Sequence, residues 1–133
     1  MDTKQVIVVR KDLKKAGWGK LMAQVAHASM AAILQVFNPY VTENLINITC
    51  NLYKDTPEFE WLKGSFTKIC VWAEDEKHLL SIYNQAYDAG LPCSLIKDNG
   101  RTVFKGIPTY TTVGIGPAEV LKVDEITGDL QLI

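Results

Sequence analysis

No apolar stretch in this 133-residue sequence approaches the roughly 18–20 residues that cross a membrane as a helix. The N-terminus also lacks the basic-then-apolar pattern of a secretory leader. Both absences point to a cytoplasmic protein with no membrane partner. Cysteine is scarce: Cys50, Cys70 and Cys93 are odd in number and show no CxxC spacing, which argues against a disulfide framework and a cysteine-based zinc site. They are expected as buried, reduced thiols. His27 and His78 are too isolated to suggest a metal site, and no serine sits in a GxSxG context. The stretch Gly17-Trp18-Gly19-Lys20-Leu21 is not a P-loop, because one residue separates its glycines and no Ser or Thr follows the lysine.

What is present suits a folded domain. Apolar residues at 47% against 22% charged leave enough to build a core, and the length fits one domain over residues 1–133. The net charge of -1 conceals an asymmetry. Residues 1–20 hold six basic side chains (Lys4, Arg10, Lys11, Lys14, Lys15, Lys20) against Asp2 and Asp12, a local charge of +4 on a body that sums to -5. Such a patch can steer a polyanion to one place.

Alternation of strand-like and helix-like segments predicts an α/β fold: a three-layer α/β/α sandwich around a mixed sheet of four or five strands. "QVIVV", Gln5 to Val9, reads as a central strand because its apolar run is unbroken. A polar loop then leads to a long helix from about Gly19 or Lys20 to Phe37, stopped by Asn38-Pro39. Between 38 and 64, Val41, Leu45, Ile48 and Leu52 recur at helical spacing, so one or two helices are expected. Phe66 to Trp72 reads as a strand and Asp75 to Ala89 as a helix; Cys93 to Lys97 and Thr109 to Ile115 read as strands. A short helix around Ala118 to Lys122 and a final strand "DLQLI" complete the expectation.

Chemistry concentrates in two places. On the first helix, at 100° per residue, Lys20, Gln24 and His27 fall at about 0°, 40° and 340°, a narrow polar stripe on an otherwise apolar, Ala-rich element. Beginning at a helix N-terminus, it can form the wall of a site handling phosphate or an oxyanion. Asp98, at the C-terminal end of a strand and before an Asn-Gly turn, is the best-placed acid, since ligands of α/β sheets gather at carboxyl ends of strands.

In order and spacing, "VIVVRKDLKKAGWGKLMAQVAHA", "KICVWAEDEKHLL", "AGLPCSLIKDNGRT" and "TTVGIGPAEVLKVDEITGDLQL" resemble the archaeal and eukaryotic type of peptidyl-tRNA hydrolase, the type 2 family. The resemblance implies an enzyme, a carboxylic ester hydrolase. It cleaves the bond between a peptide or N-blocked amino acid and the 3′ ribose of tRNA, using activated water and no metal or organic cofactor. It also implies a homodimer. Carried over by position, Lys20, Asp98, Thr102 and Thr111 match proposed active-site residues, and Gln24 and His27 match the helix motif. Asp98 would orient or deprotonate water, Lys20 would pair with it or support the oxyanion, and the threonines would complete the hydrogen bonding. Arg10, Lys11, Lys14, Lys15 and Arg101 would hold substrate phosphates. Residues 38–64 are longer than the family's usual link, and "VFKGIPTYTT" is one residue longer than its usual loop, which leaves open whether Thr109 or Thr111 faces the site. Two other functions fit the same fold: a non-catalytic tRNA- or RNA-binding or regulatory protein, and a related aminoacyl-tRNA deacylase. Binding phosphate does not require Asp98, so its presence favours the hydrolase.

Overall fold

The computed structural model describes residues 1–101 and 104–133. β1 (Thr3–Arg10) leads through a 3-10 turn (Lys11–Ala16) into α1 (Trp18–Phe37). There follow β2 (Tyr40–Val41), β3 (Ile46–Asn47), α2 (Pro57–Lys63), β4 (Lys68–Ala73) and α3 (Glu76–Asp88). β5 (Cys93–Asp98), β6 (Thr109–Glu119) and α4 (Val120–Thr127) complete the chain. The main sheet has the order β4-β1-β6-β5, with β1 parallel to β4 and antiparallel to β6, and β6 antiparallel to β5.

The position of β1 inside the sheet explains its unbroken apolar run, because its alternate residues serve two cores. Val6 and Val8 pack with Leu79, Ile82, Ala86 and Val123 of α3 and α4, while Ile7 and Val9 pack with Leu21 and Ala28 of α1. Helices thus cover both faces, as expected of a three-layer sandwich. α1 is Ala-rich because it must come close: a Cβ at Gly114 of β6 would lie 2.3 Å from the Ala28 carbonyl oxygen and 3.2 Å from the Ala32 Cβ. Larger side chains would lift the helix off the sheet. Asp75 caps α3 by accepting a 2.9 Å hydrogen bond from the His78 N–H, the capping geometry its sequence position favours.

Three expectations are corrected. Residues 40–47 form the β2–β3 hairpin, not a helix, and Val41, Leu45, Ile46 and Ile48 are all exposed. Helical spacing there does not fix a helix: of the stripe Val41, Leu45, Ile48 and Leu52 only Leu52 is half-buried, and β-branched residues flanking a Thr-Glu-Asn turn suit a hairpin better. Only Pro57–Lys63 is helical in this stretch, capped by Thr56 and anchored by the buried Trp61. β6 continues through Gly116-Pro117 to Glu119, so the last helix starts at Val120. The expected final strand reduces to one bridge, Val71 with Leu132, flanked by hydrogen bonds from the Trp72 N–H to the Gln131 carbonyl and from the Ile133 N–H to the Cys70 carbonyl. The thiols also differ from expectation: Cys93 is buried and Cys70 half-buried, but Cys50 is exposed.

Candidate active site

α1 lies across β6 and β5, and this crossing brings its first two turns over the C-terminal end of β5. Lys20 Nζ sits 2.8 Å from Asp98 Oδ2, joining residues 78 positions apart in the chain. Gln24, one turn further along α1, donates from Nε2 to the same carboxylate oxygen at 3.0 Å. The other oxygen, Oδ1, accepts the Gly100 N–H at 2.8 Å within the Asn-Gly turn. Gly100 has φ +80, and a Cβ there would meet the Ile107 backbone at 2.5 Å, so the turn requires glycine to bring its amide onto Asp98.

The Gln24 amide is itself fixed. Its side chain is 1% exposed, and its Oε1 accepts a 2.6 Å hydrogen bond from Thr111 Oγ1. An amide whose oxygen is held by a hydroxyl presents its NH2 group on the opposite side, toward Asp98. Thr112 Oγ1 reaches the same residue from the neighbouring position, donating to the Gln24 carbonyl at 3.1 Å. Consecutive strand residues ordinarily point to opposite faces. Here the register steps from Ile96 opposite Thr112 to Lys97 opposite Tyr110, leaving Thr111 as an extra residue of β6. This β-bulge turns both hydroxyls toward α1. Nothing in the residue pattern of "TYTT" announced it. Thr109 Oγ1 instead bonds the Ile107 carbonyl, so of the two candidate threonines it is Thr111 that touches the Gln24–Asp98 network.

These contacts hold the Asp98 carboxyl below its ordinary range: the hydrogen bond from Lys20 dominates, burial opposes it, and the Gly100 amide, the Lys20 charge and Gln24 add to the lowering. The Lys20 ammonium also lies 5.6 Å from the centre of the Phe104 ring. A carboxylate offers about four acceptor sites. Three described donors occupy Asp98, two of them on Oδ2, so Oδ1 retains acceptor capacity for a water.

The other expected site residues divide. Thr102 lies outside the described residues. His27 is exposed and lines a shallow depression with Ala31, Leu34, Ile96 and Lys97, one turn beyond the Asp98 network. Arg10 is committed within the fold: it makes two hydrogen bonds to Asp12, at 3.0 and 2.8 Å, and a third to the Tyr110 carbonyl at 2.9 Å. Asp12 accordingly raises its pKa. Lys11 reaches Gln131 Oε1 at 3.1 Å, Lys14 lies 5.0 Å from the centre of the Trp72 ring, and Lys15 and Arg101 are exposed. Lys4 is removed from this group, since it sits at the far end of β1 and pairs with Asp124. Among the described residues, no cluster of three His, Cys, Asp or Glu side chains could hold a metal.

A family model described as peptidyl-tRNA hydrolase PTH2 matches residues 3–133. The chain is also 40% identical over 133 residues to the peptidyl-tRNA hydrolase of Sulfurisphaera tokodaii, covering all of both chains. It is 39% identical over 132 residues to that of Methanocaldococcus jannaschii, covering 98% of this chain and 99% of the other. With the enzyme of Methanopyrus kandleri the identity is 38% over 130 residues, covering 98% and 97%.

Proposed function

The chain belongs to the peptidyl-tRNA hydrolase PTH2 family, hydrolases of the ester bond of peptidyl-tRNA, and we propose that the Lys20–Gln24–Asp98–Thr111 cluster is where this protein carries out that reaction. The observation that carries the assignment is the 2.8 Å contact between Lys20 and Asp98 at a partly exposed position. A structural ion pair would serve the fold as well buried or fully solvated. This one is ringed by an oriented amide and a turn amide, all aimed at one carboxylate.

In the reaction, water bound at Asp98 Oδ1 attacks the ester carbonyl. The tetrahedral intermediate collapses with cleavage of the bond to the ribose 3′ oxygen, releasing the free acid and a tRNA 3′ hydroxyl, which takes the proton. Asp98 is held ionised by its donors and is therefore a weak base. Its role is to orient the water through the lone pair that the described donors leave unused. Lys20 supplies positive charge beside the developing oxyanion, where a preorganised donor is worth about 10²–10³ in rate. Gln24 and Thr111 position the carboxylate without touching substrate. The exposed Lys14 and Lys15 are suited to backbone phosphates, and a translation substrate fits a cytoplasmic protein. No helix among the described residues is long and apolar enough to cross a membrane.

Self-association belongs to the same reading. Its support is the exposed apolar surface of the β2–β3 hairpin (Tyr40, Val41, Ile46) together with Met30, Leu62 and Phe66. Sedimentation at micromolar concentration should show a dimer.

The test of the hydrolase assignment is release of labelled acid from N-acetylaminoacyl-tRNA, with excess chelator present. Lys20→Ala and Asp98→Asn should each lose at least a hundredfold in kcat/KM. Rates near wild type for both would remove the cluster from the mechanism.

A further inference from the structure

The first turn of α1 carries a second, unassigned feature on the side opposite Lys20. Trp18 is 58% exposed. Its ring lies 6.3 Å from that of Trp72, and the two indoles open onto an apolar pocket of about 250 Å3 lined also by Val9, Leu21, Met22 and Val25. Ligand pockets for drug-sized molecules run to about 300–1,000 Å3, so this one suits a single ring system. Lys14 stacks on Trp72 with its Nζ 5.0 Å from the ring centre, and Lys15, next in the chain, is exposed. Aromatic platforms next to cations are how proteins hold unpaired nucleotides without reading their sequence.

We propose that this pocket binds an unpaired base at the 3′ end of the tRNA, next to the terminal nucleotide whose ribose carries the ester. The inference rests on the hydrolase reading. Trp18 and Lys20 are two residues apart, which directs their side chains about 200° apart around a helix roughly 10–12 Å across. A strand with its terminal ribose at Lys20 and Asp98 and its preceding base on Trp18 therefore crosses the N-terminus of α1. There the first amides of the helix, without partners within it, face the phosphate. Gly19 lies on this path. A Cβ at Gly19 would meet nothing within 4 Å, so the fold does not call for glycine, and the bare backbone leaves the phosphate room to approach. The charge is complementary at Lys14, whose ammonium lies over the Trp72 ring that lines the pocket.

Affinity for deacylated tRNA, intact or trimmed of its last two nucleotides, tests this without depending on hydrolysis. Trp18→Ala should weaken intact tRNA roughly tenfold, within the range of base–aromatic stacking, and leave trimmed tRNA nearly unchanged. Trp18→Phe should retain most of the affinity, and Gly19→Ala should weaken intact tRNA while leaving thermal unfolding no worse. Equal effects of Trp18→Ala on both tRNAs, or none on either, would overturn the proposal. So would a shift of the Trp18→Ala protein to a smaller sedimenting species, which would assign the pocket to a second copy of the chain. Loss of ester cleavage in the wild-type protein with the tRNA discrimination intact would instead remove the hydrolase reading.

Discussion

Thr111 holds the Gln24 amide from behind, at 2.6 Å, and so decides which end of that amide faces Asp98. The hydroxyl never reaches the carboxylate in these contacts, yet the direction of the Gln24–Asp98 hydrogen bond depends on it. Fold and site meet at this point, because the bulge that aims Thr111 at α1 belongs to the sheet.

Thr111→Val keeps the shape and deletes the donor. It leaves a buried Gln24 oxygen without its hydroxyl partner, which should cost about 1–3 kcal/mol in urea unfolding. The amide is then free to turn its oxygen toward Asp98, and kcat/KM should fall by roughly tenfold, equivalent to about 1.4 kcal/mol of transition-state stabilisation. Thr111→Ser should restore both values.

The lowered pKa of Asp98 has a defined sign in stability. Its folded value lies below the unfolded one, so its contribution is fully present above the ordinary carboxylate value of 3.8 and is lost as pH falls through the folded value. Between pH 5 and 8 the carboxyl should not titrate, which carbon-13 NMR of the Asp98 side chain can follow directly. A titration step within that interval would contradict both the Lys20 pairing in solution and the water-orienting role.

Gly114→Ala adds a methyl group where the Ala28 carbonyl already sits, and overpacking of this kind costs about 1–3 kcal/mol. Lifting α1 from β6 also moves Lys20 and Gln24 away from Asp98. Reduced kcat at saturating substrate, alongside a lower unfolding midpoint, is the expected pair of results. Full activity in a destabilised protein would show that the site does not depend on this packing.

The basic residues should separate by salt dependence. Lys14→Ala and Lys15→Ala should each reduce the slope of log affinity against log salt by about 1, as loss of a phosphate contact does. Arg10→Ala should leave the slope nearly unchanged while lowering stability, since that guanidinium is occupied by Asp12 and the Tyr110 carbonyl. Titration of tRNA binding between 50 and 200 mM salt distinguishes the two classes.

Much of this architecture could be read from residues. β1 was legible because an unbroken β-branched run has only a central position to occupy, and α3 because its stripe and its Asp75 cap agree on one element. Lys20, Gln24 and Asp98 were legible as types in suitable places, and the fold brought them together. The hairpin at 40–47 was misread because spacing alone carries no information about what lies opposite. The bulge at Thr111 was invisible because it arises from pairing between strands, a property of neither strand alone. Arg10 and Lys4 read only as members of a basic segment, because charge counted along a sequence does not show the carboxylates of Asp12 and Asp124 that folding sets against them.

The unequal placement of the three thiols gives the protein a ready chemical handle. Cys50 is exposed beside the β2–β3 hairpin, whereas burial raises the pKa of both Cys70 and Cys93 and so keeps them protonated and slow to react. A maleimide dye added near neutral pH should therefore mark one position in the unaltered sequence, and energy transfer between donor- and acceptor-labelled copies would report directly whether two hairpins come together.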